Sequence, residues 1–69
     1  MSDSVYRVTE VIGTSSESWE QAARNAVETA SGTVRDLCVA EVVKLDVTID
    51  DGRVSTFRAR LNLSFKYER

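Results

Sequence analysis

The 69-residue chain has no histidine, no proline, one cysteine and three glycines. Without histidine, the histidine-based triads and acid–base relays cannot be assembled. The single thiol, Cys38, excludes an intramolecular disulfide. Together with the missing histidine it also excludes a four-ligand Cys/His zinc centre. A lone free cysteine fits a reducing compartment, so a cytoplasmic location is expected. No apolar run approaches the ~20 residues of a membrane span, and no membrane partner is expected. The polar start Met1-Ser2-Asp3-Ser4 lacks the basic-then-apolar order of a signal peptide. Nine basic and eleven acidic residues leave a net charge of -2, which points away from nucleic acid as a partner. EF-hand spacing, glycine-rich phosphate loops and Walker motifs are all absent. No nucleophile–base pair emerges from this composition, and the chain is not expected to be an enzyme.

The length implies one domain over 1–69. A monomer of this size buries only about 60% of the surface its unfolded chain exposes. Small scaffolds compensate with disulfides, a structural metal or assembly. With disulfide and zinc excluded, assembly remains, and the chain is expected to be a homo-oligomer.

The residues that are present read as β-α-β-β. Val5 to Ile12 is rich in β-branched residues and alternates, with Tyr6, Val8 and Ile12 on one side and Arg7 and Thr9 on the other. Gly13 is expected to break that strand. Thr14-Ser15-Ser16-Glu17 marks a helix start: Thr14-x-x-Glu17 fits a capping box, and Ser15 or Ser16 fits equally well as the cap. Trp19, Ala22, Ala23, Ala26, Val27 and Ala30 then form one helical stripe, mostly alanine, against which a sheet can approach closely. Glu20 and Arg24 stand opposite it in the favourable i,i+4 order. Gly32 suits the position after the last helical residue.

In the long second strand, Val39, Val43, Leu45, Val47 and Ile49 are expected on one face, interrupted by Glu41. Ala40, Val42, Lys44, Asp46 and Thr48 are expected on the other. Asp50-Asp51-Gly52-Arg53 is a hairpin turn. The return strand places Phe57, Ala59, Leu61, Leu63, Phe65 and Tyr67 on one face. Two strands of about 11 residues reach ~36 Å. A helix of about 16 residues spans only ~24 Å, so the hairpin must curl round the helix or overshoot it. Placing the third strand between the other two gives an antiparallel sheet of order 1-3-2. The fold class is therefore α+β, a three-stranded antiparallel sheet curled around one helix.

Two stretches carry a family resemblance. Val11-Ile12-Gly13-Thr14-Ser15, followed by Ser18-Trp19 and the alanine-rich helix, resembles the first half of the dodecins. Thr33-Val34-Arg35, Val39-Ala40-Glu41-Val42-Val43 and the hairpin ending Leu63-Ser64-Phe65 resemble the second half. The resemblance implies a hollow dodecamer of cubic-type symmetry that stores flavin, FMN or riboflavin, rather than turning it over. It implies a Trp near the start of the second strand stacking on the isoalloxazine, two flavins sharing a two-fold site, and a Gln on the third strand bonding the ring edge. Here those positions hold Val39 and Arg58, so the stacking contribution is missing.

Val39 is accordingly a candidate lining residue for a flat ligand, or an ordinary packed strand residue. Arg58 is a candidate for a phosphate, carboxylate or flavin carbonyl, or half of a salt bridge with Glu41. Glu41, on an otherwise apolar face, needs a partner if it is buried. Trp19 reads as core or interface packing, and Cys38 as a small apolar residue. Glu17 fits dipole and cap chemistry; under the resemblance, an acid there meets its copies at a symmetry axis and holds a cation, calcium or magnesium. Asp50 and Asp51 fall short of the six to eight oxygens of a calcium site unless copies multiply them. Two function classes remain open: a flavin-type storage protein, and a flavin-independent shell binding an ion such as calcium or serving a purely structural role.

Overall fold

Runs of β-branched residues separated by one alanine-rich stripe fold, in the computed structural model, into β1 (Tyr6–Ser15), α1 (Trp19–Ser31), β2 (Leu37–Asp50) and β3 (Arg53–Lys66). The structure describes residues 4–67. Most of the polar N-terminus read above therefore lies outside the described residues, as do the last two positions. The sheet order is β1-β3-β2, with both pairings antiparallel, as expected from placing the third strand between the other two.

β1 runs three residues beyond the expected end, because Gly13 is needed inside the strand. It is buried, and a Cβ there would collide with the Ala22 carbonyl oxygen and lie 2.8 Å from Ala26 Cβ. Gly13 is thus the point where the helix backbone comes down onto the sheet. The helix cap is Ser18, not Thr14, Ser15 or Ser16. Ser18 is extended, and its Oγ accepts from the Gln21 N–H at 3.0 Å. Ser15 instead shapes the connecting turn, its Oγ accepting from the Glu17 N–H at 2.9 Å. Gly32 ends the helix in a right-handed conformation, φ -73°, so no left-handed cap is used. The connector's positive φ falls on Asp36, at 61°. In the hairpin turn, Asp51 (φ 54°) and Gly52 (φ 73°) supply the two left-handed residues of a type I′ turn.

The core is small. Ala22, Ala26, Ala59, Leu61 and Leu63 are buried, and only the two leucines are large. The helix lies over β1 and β3 and scarcely reaches β2. Val42 and Leu45 consequently stay 50% and 48% exposed although they point to the helix side. The protomer is 54 Å long with a radius of gyration of 14.3 Å, against about 11 Å for a compact chain of this length. Its accessible surface is 5371 Å², whereas a folded monomer of 7.7 kDa exposes about 4,300 Å². The excess, about 1,000 Å², is of the size one partner buries in a stable protein interface.

The β2 face assignment needs correction. The pairing slips between Leu37 and Val39 and again between Val42 and Lys44. Each slip is a bulge that inserts one residue and reverses the alternation. Ala40, Val42, Leu45 and Val47 therefore share the helix side, opposite Leu63, Leu61, Ala59 and Phe57. Val39, Glu41, Lys44, Asp46 and Thr48 share the other face, opposite Ser64, Asn62, Arg60, Arg58 and Thr56. Glu41 does not interrupt the core face; it is exposed beside Asn62.

Candidate functional site: the open face of the sheet

The sheet face turned away from the helix collects three of the four candidate residues. Reading across β1, β3 and β2, one row is Val8, Ser64, Val39. The next is Glu10, Asn62, Glu41, followed by Ile12, Arg60, Lys44 and then Thr14, Arg58, Asp46. An acidic row thus lies beside a basic one. Lys44 and Arg60 stand directly opposite each other, an unfavourable placement for like charges within a sheet. Neither makes an ion pair with a described residue.

Arg58 is paired, but not with Glu41. Its Nε donates to Asp46 Oδ1 at 2.7 Å and an Nη donates to Oδ2 at 2.9 Å. The register explains the partner: Asp46 lies directly across from Arg58, whereas Glu41 faces Asn62, four residues further along β3. These hydrogen bonds hold the Asp46 carboxyl below its usual range, with the nearby charges of Arg58, Arg60 and Lys44 acting in the same direction against partial desolvation. The same bonds raise Arg58 above its ordinary value. Asp46 is tied a second time: Trp19 Nε1 donates to its carbonyl oxygen at 3.0 Å. The Trp19 ring packs edge-on against Phe57, with centroids 5.1 Å apart. Trp19 is therefore a half-exposed brace between the helix start and the hairpin rather than a buried core residue.

Val39 and Arg58 do not meet within one chain. Val39 lies beside Ser64, six residues along β3 from Arg58, or about 20 Å at ~3.3 Å per residue. Val39 is 58% exposed and borders a hollow of about 170 Å³ with Val27, Leu37 and Leu63, well below the ~300–1,000 Å³ of ordinary small-molecule sites. A larger groove, about 560 Å³, lies between β1 and α1, lined by Thr9, Val11, Thr14, Asn25, Thr29 and Val34; it includes none of the candidates. Glu17 sits apart from the sheet face, exposed in the turn before α1. Among the described residues no three Cys, Asp or Glu side chains gather as metal ligands, so Glu17, Asp50 and Asp51 are not brought together in one chain. Cys38 is exposed at the first bulge, its thiol donating to the Asp36 carbonyl at 3.3 Å.

Asp46 and the second bulge were the features hidden from alternation alone. The apolar doublet Val42-Val43, followed by Lys44, was the available signal that the pattern changes face.

The dodecin family profile matches residues 5–68. Among characterised proteins, the calcium dodecin of Mycobacterium tuberculosis is 48% identical over 63 residues, 91% of this chain and 89% of that protein. Among solved structures, a dodecin from Streptomyces coelicolor superposes with a TM-score of 0.92 at 46% identity, covering 100% of this chain and 99% of the other. The M. tuberculosis calcium dodecin, described as a calcium-chelating antigen with a novel calcium-binding site, superposes with a TM-score of 0.83 at 47% identity, covering 94% and 93%.

Proposed function

The chain belongs to the dodecin family, and from that premise we propose that it is a homo-oligomeric binding and storage protein whose ligand sites form between copies. The observation that carries this reading is the separation of Val39 from Arg58 by about 20 Å on one open face. A flat ligand touching both positions must take them from two chains. The surplus accessible surface and the unpaired acidic and basic rows fit a face completed by another copy. Twelve copies in a shell is the assembly the family resemblance implies. A cytoplasmic location and a binding rather than catalytic role complete the proposal.

Flavin is expected to bind weakly. With Val39 in the stacking position, a contact of about 1–3 kcal/mol per ring is missing, equal to about one to two decades in affinity per contact. Val39→Trp should therefore strengthen riboflavin quenching by about that factor in a fluorescence titration. A native protein that quenches as tightly as the variant contradicts the role given to this position.

Calcium is the second ligand proposed, and the identity with a calcium dodecin favours it. Calcium takes six to eight oxygens, more than any cluster within one chain offers among the described residues, so its site too would be shared. Glu17, exposed in the turn before α1, is the proposed carboxylate. Calcium should raise the melting temperature of the native assembly, and Glu17→Gln should reduce that rise. An identical rise in both proteins removes Glu17, and no rise in the native protein removes calcium.

A further inference from the structure

Arg58 occupies a proposed ligand position, yet two of its donors are already taken. Nε and one Nη grip both oxygens of Asp46 at 2.7 and 2.9 Å, the fork-to-fork arrangement that guanidinium groups make with carboxylates. Asp46 is also anchored through its backbone carbonyl by Trp19 at 3.0 Å, and Trp19 is seated on Phe57. Helix start, β2 and β3 thus converge on one residue. The pair remains open to solvent, with side chains 35% and 40% exposed, so a molecule arriving at the open face can reach it.

We propose that Asp46 is a built-in competitor for Arg58 and sets which ligands the open face accepts. This rests on the reading that Arg58 faces the ligand. A molecule with two adjacent in-plane acceptors, such as a ring nitrogen beside a carbonyl, a carboxylate or a phosphate, suits the same fork. To bind there it must displace the carboxylate of a residue whose backbone carbonyl Trp19 anchors. Ligands without such an edge are not penalised. Asp46 is a positioning residue: it touches no ligand itself and acts by withholding Arg58. Glu41, beside Asn62, stands two rows from this clasp and does not take its place.

The test uses the assembled protein and riboflavin, whose ring carries a nitrogen beside a carbonyl, in fluorescence-quenching titrations. Asp46→Ala is made in the native and in the Val39→Trp background, with sedimentation verifying that each assembly is intact. The expected result is a gain of about tenfold in affinity on removing the carboxylate, the order that one charge-assisted hydrogen bond supplies. Adding Arg58→Ala should abolish that gain. Asp46→Glu, which restores a carboxylate, should show little of it. A merely structural role for Asp46 would not make the effect depend on Arg58. If Val39→Trp binds riboflavin more tightly but Asp46→Ala adds nothing, the competitor role is overturned while the ligand face stands. If Val39→Trp changes nothing, the ligand-face reading of position 39 fails, and Asp46→Ala then decides the competitor separately. A gain that survives removal of Arg58, or no gain in either background, overturns it.

Discussion

The two faces of this sheet are built by opposite rules. On the helix side, small residues on α1 meet small and branched residues on β3, and the backbones approach so closely that Gly13 has no room for a methyl group. On the other side, Val8, Ile12 and Val39 lie exposed among alternating rows of acids and bases. Among the described residues five apolar ones are buried, and twelve large ones remain exposed. The first face makes a protomer. The second, with the uncovered flank of β2, is the surface proposed to be completed by further copies. Size alone sets this division, because a chain this short cannot bury both sides of a sheet under one 13-residue helix.

Mutations should separate the faces. The largest effect is expected from Leu61→Ala, which empties one of the two large buried positions and should cost about 2–5 kcal/mol in denaturant unfolding. A loss no greater than that of an exposed valine would mean the core lies elsewhere. Gly13→Ala should cost about 1–3 kcal/mol, since a methyl group there forces helix and sheet apart. Ser18→Ala should remove about 1 kcal/mol through the lost cap, while Thr14→Ala removes little; the reverse order would restore the Thr14 capping box. On the open face the intrachain effects are smallest. The depressed pKa of Asp46 stabilises the folded chain fully above its ordinary value of 3.8, and this contribution fades as pH falls through the lower native value. Thermal melts of native protein and Asp46→Asn should therefore converge in acid and diverge toward neutrality. Equal spacing at every pH would show that the carboxylate is not the cause.

Much of the helix-covered face was legible in the sequence. The period-two run from Phe57 to Phe65, the alanine stripe and the Asp51-Gly52 turn each have one sensible structural reading, and placing the third strand between the other two gives the antiparallel order 1-3-2. The open face was less legible because its meaning depends on register. One inserted residue at Val43 keeps Leu45 and Val47 on the helix side but puts Ala40 and Val42 there in place of Val39 and Glu41, while Glu41, opposite Asn62, stays four residues along β3 from Arg58. Alternation assumes an unbroken strand, and neither bulge carries a glycine to announce it. The Ser18 cap was similarly masked by three hydroxyls and a glutamate just upstream, each with plausible capping chemistry.

Further copies of this chain are proposed to complete the open face. Sedimentation velocity at micromolar protein tests this directly. A single species many times the 7.7 kDa protomer mass, persisting on dilution, is expected. A stable, folded species at the protomer mass would contradict it.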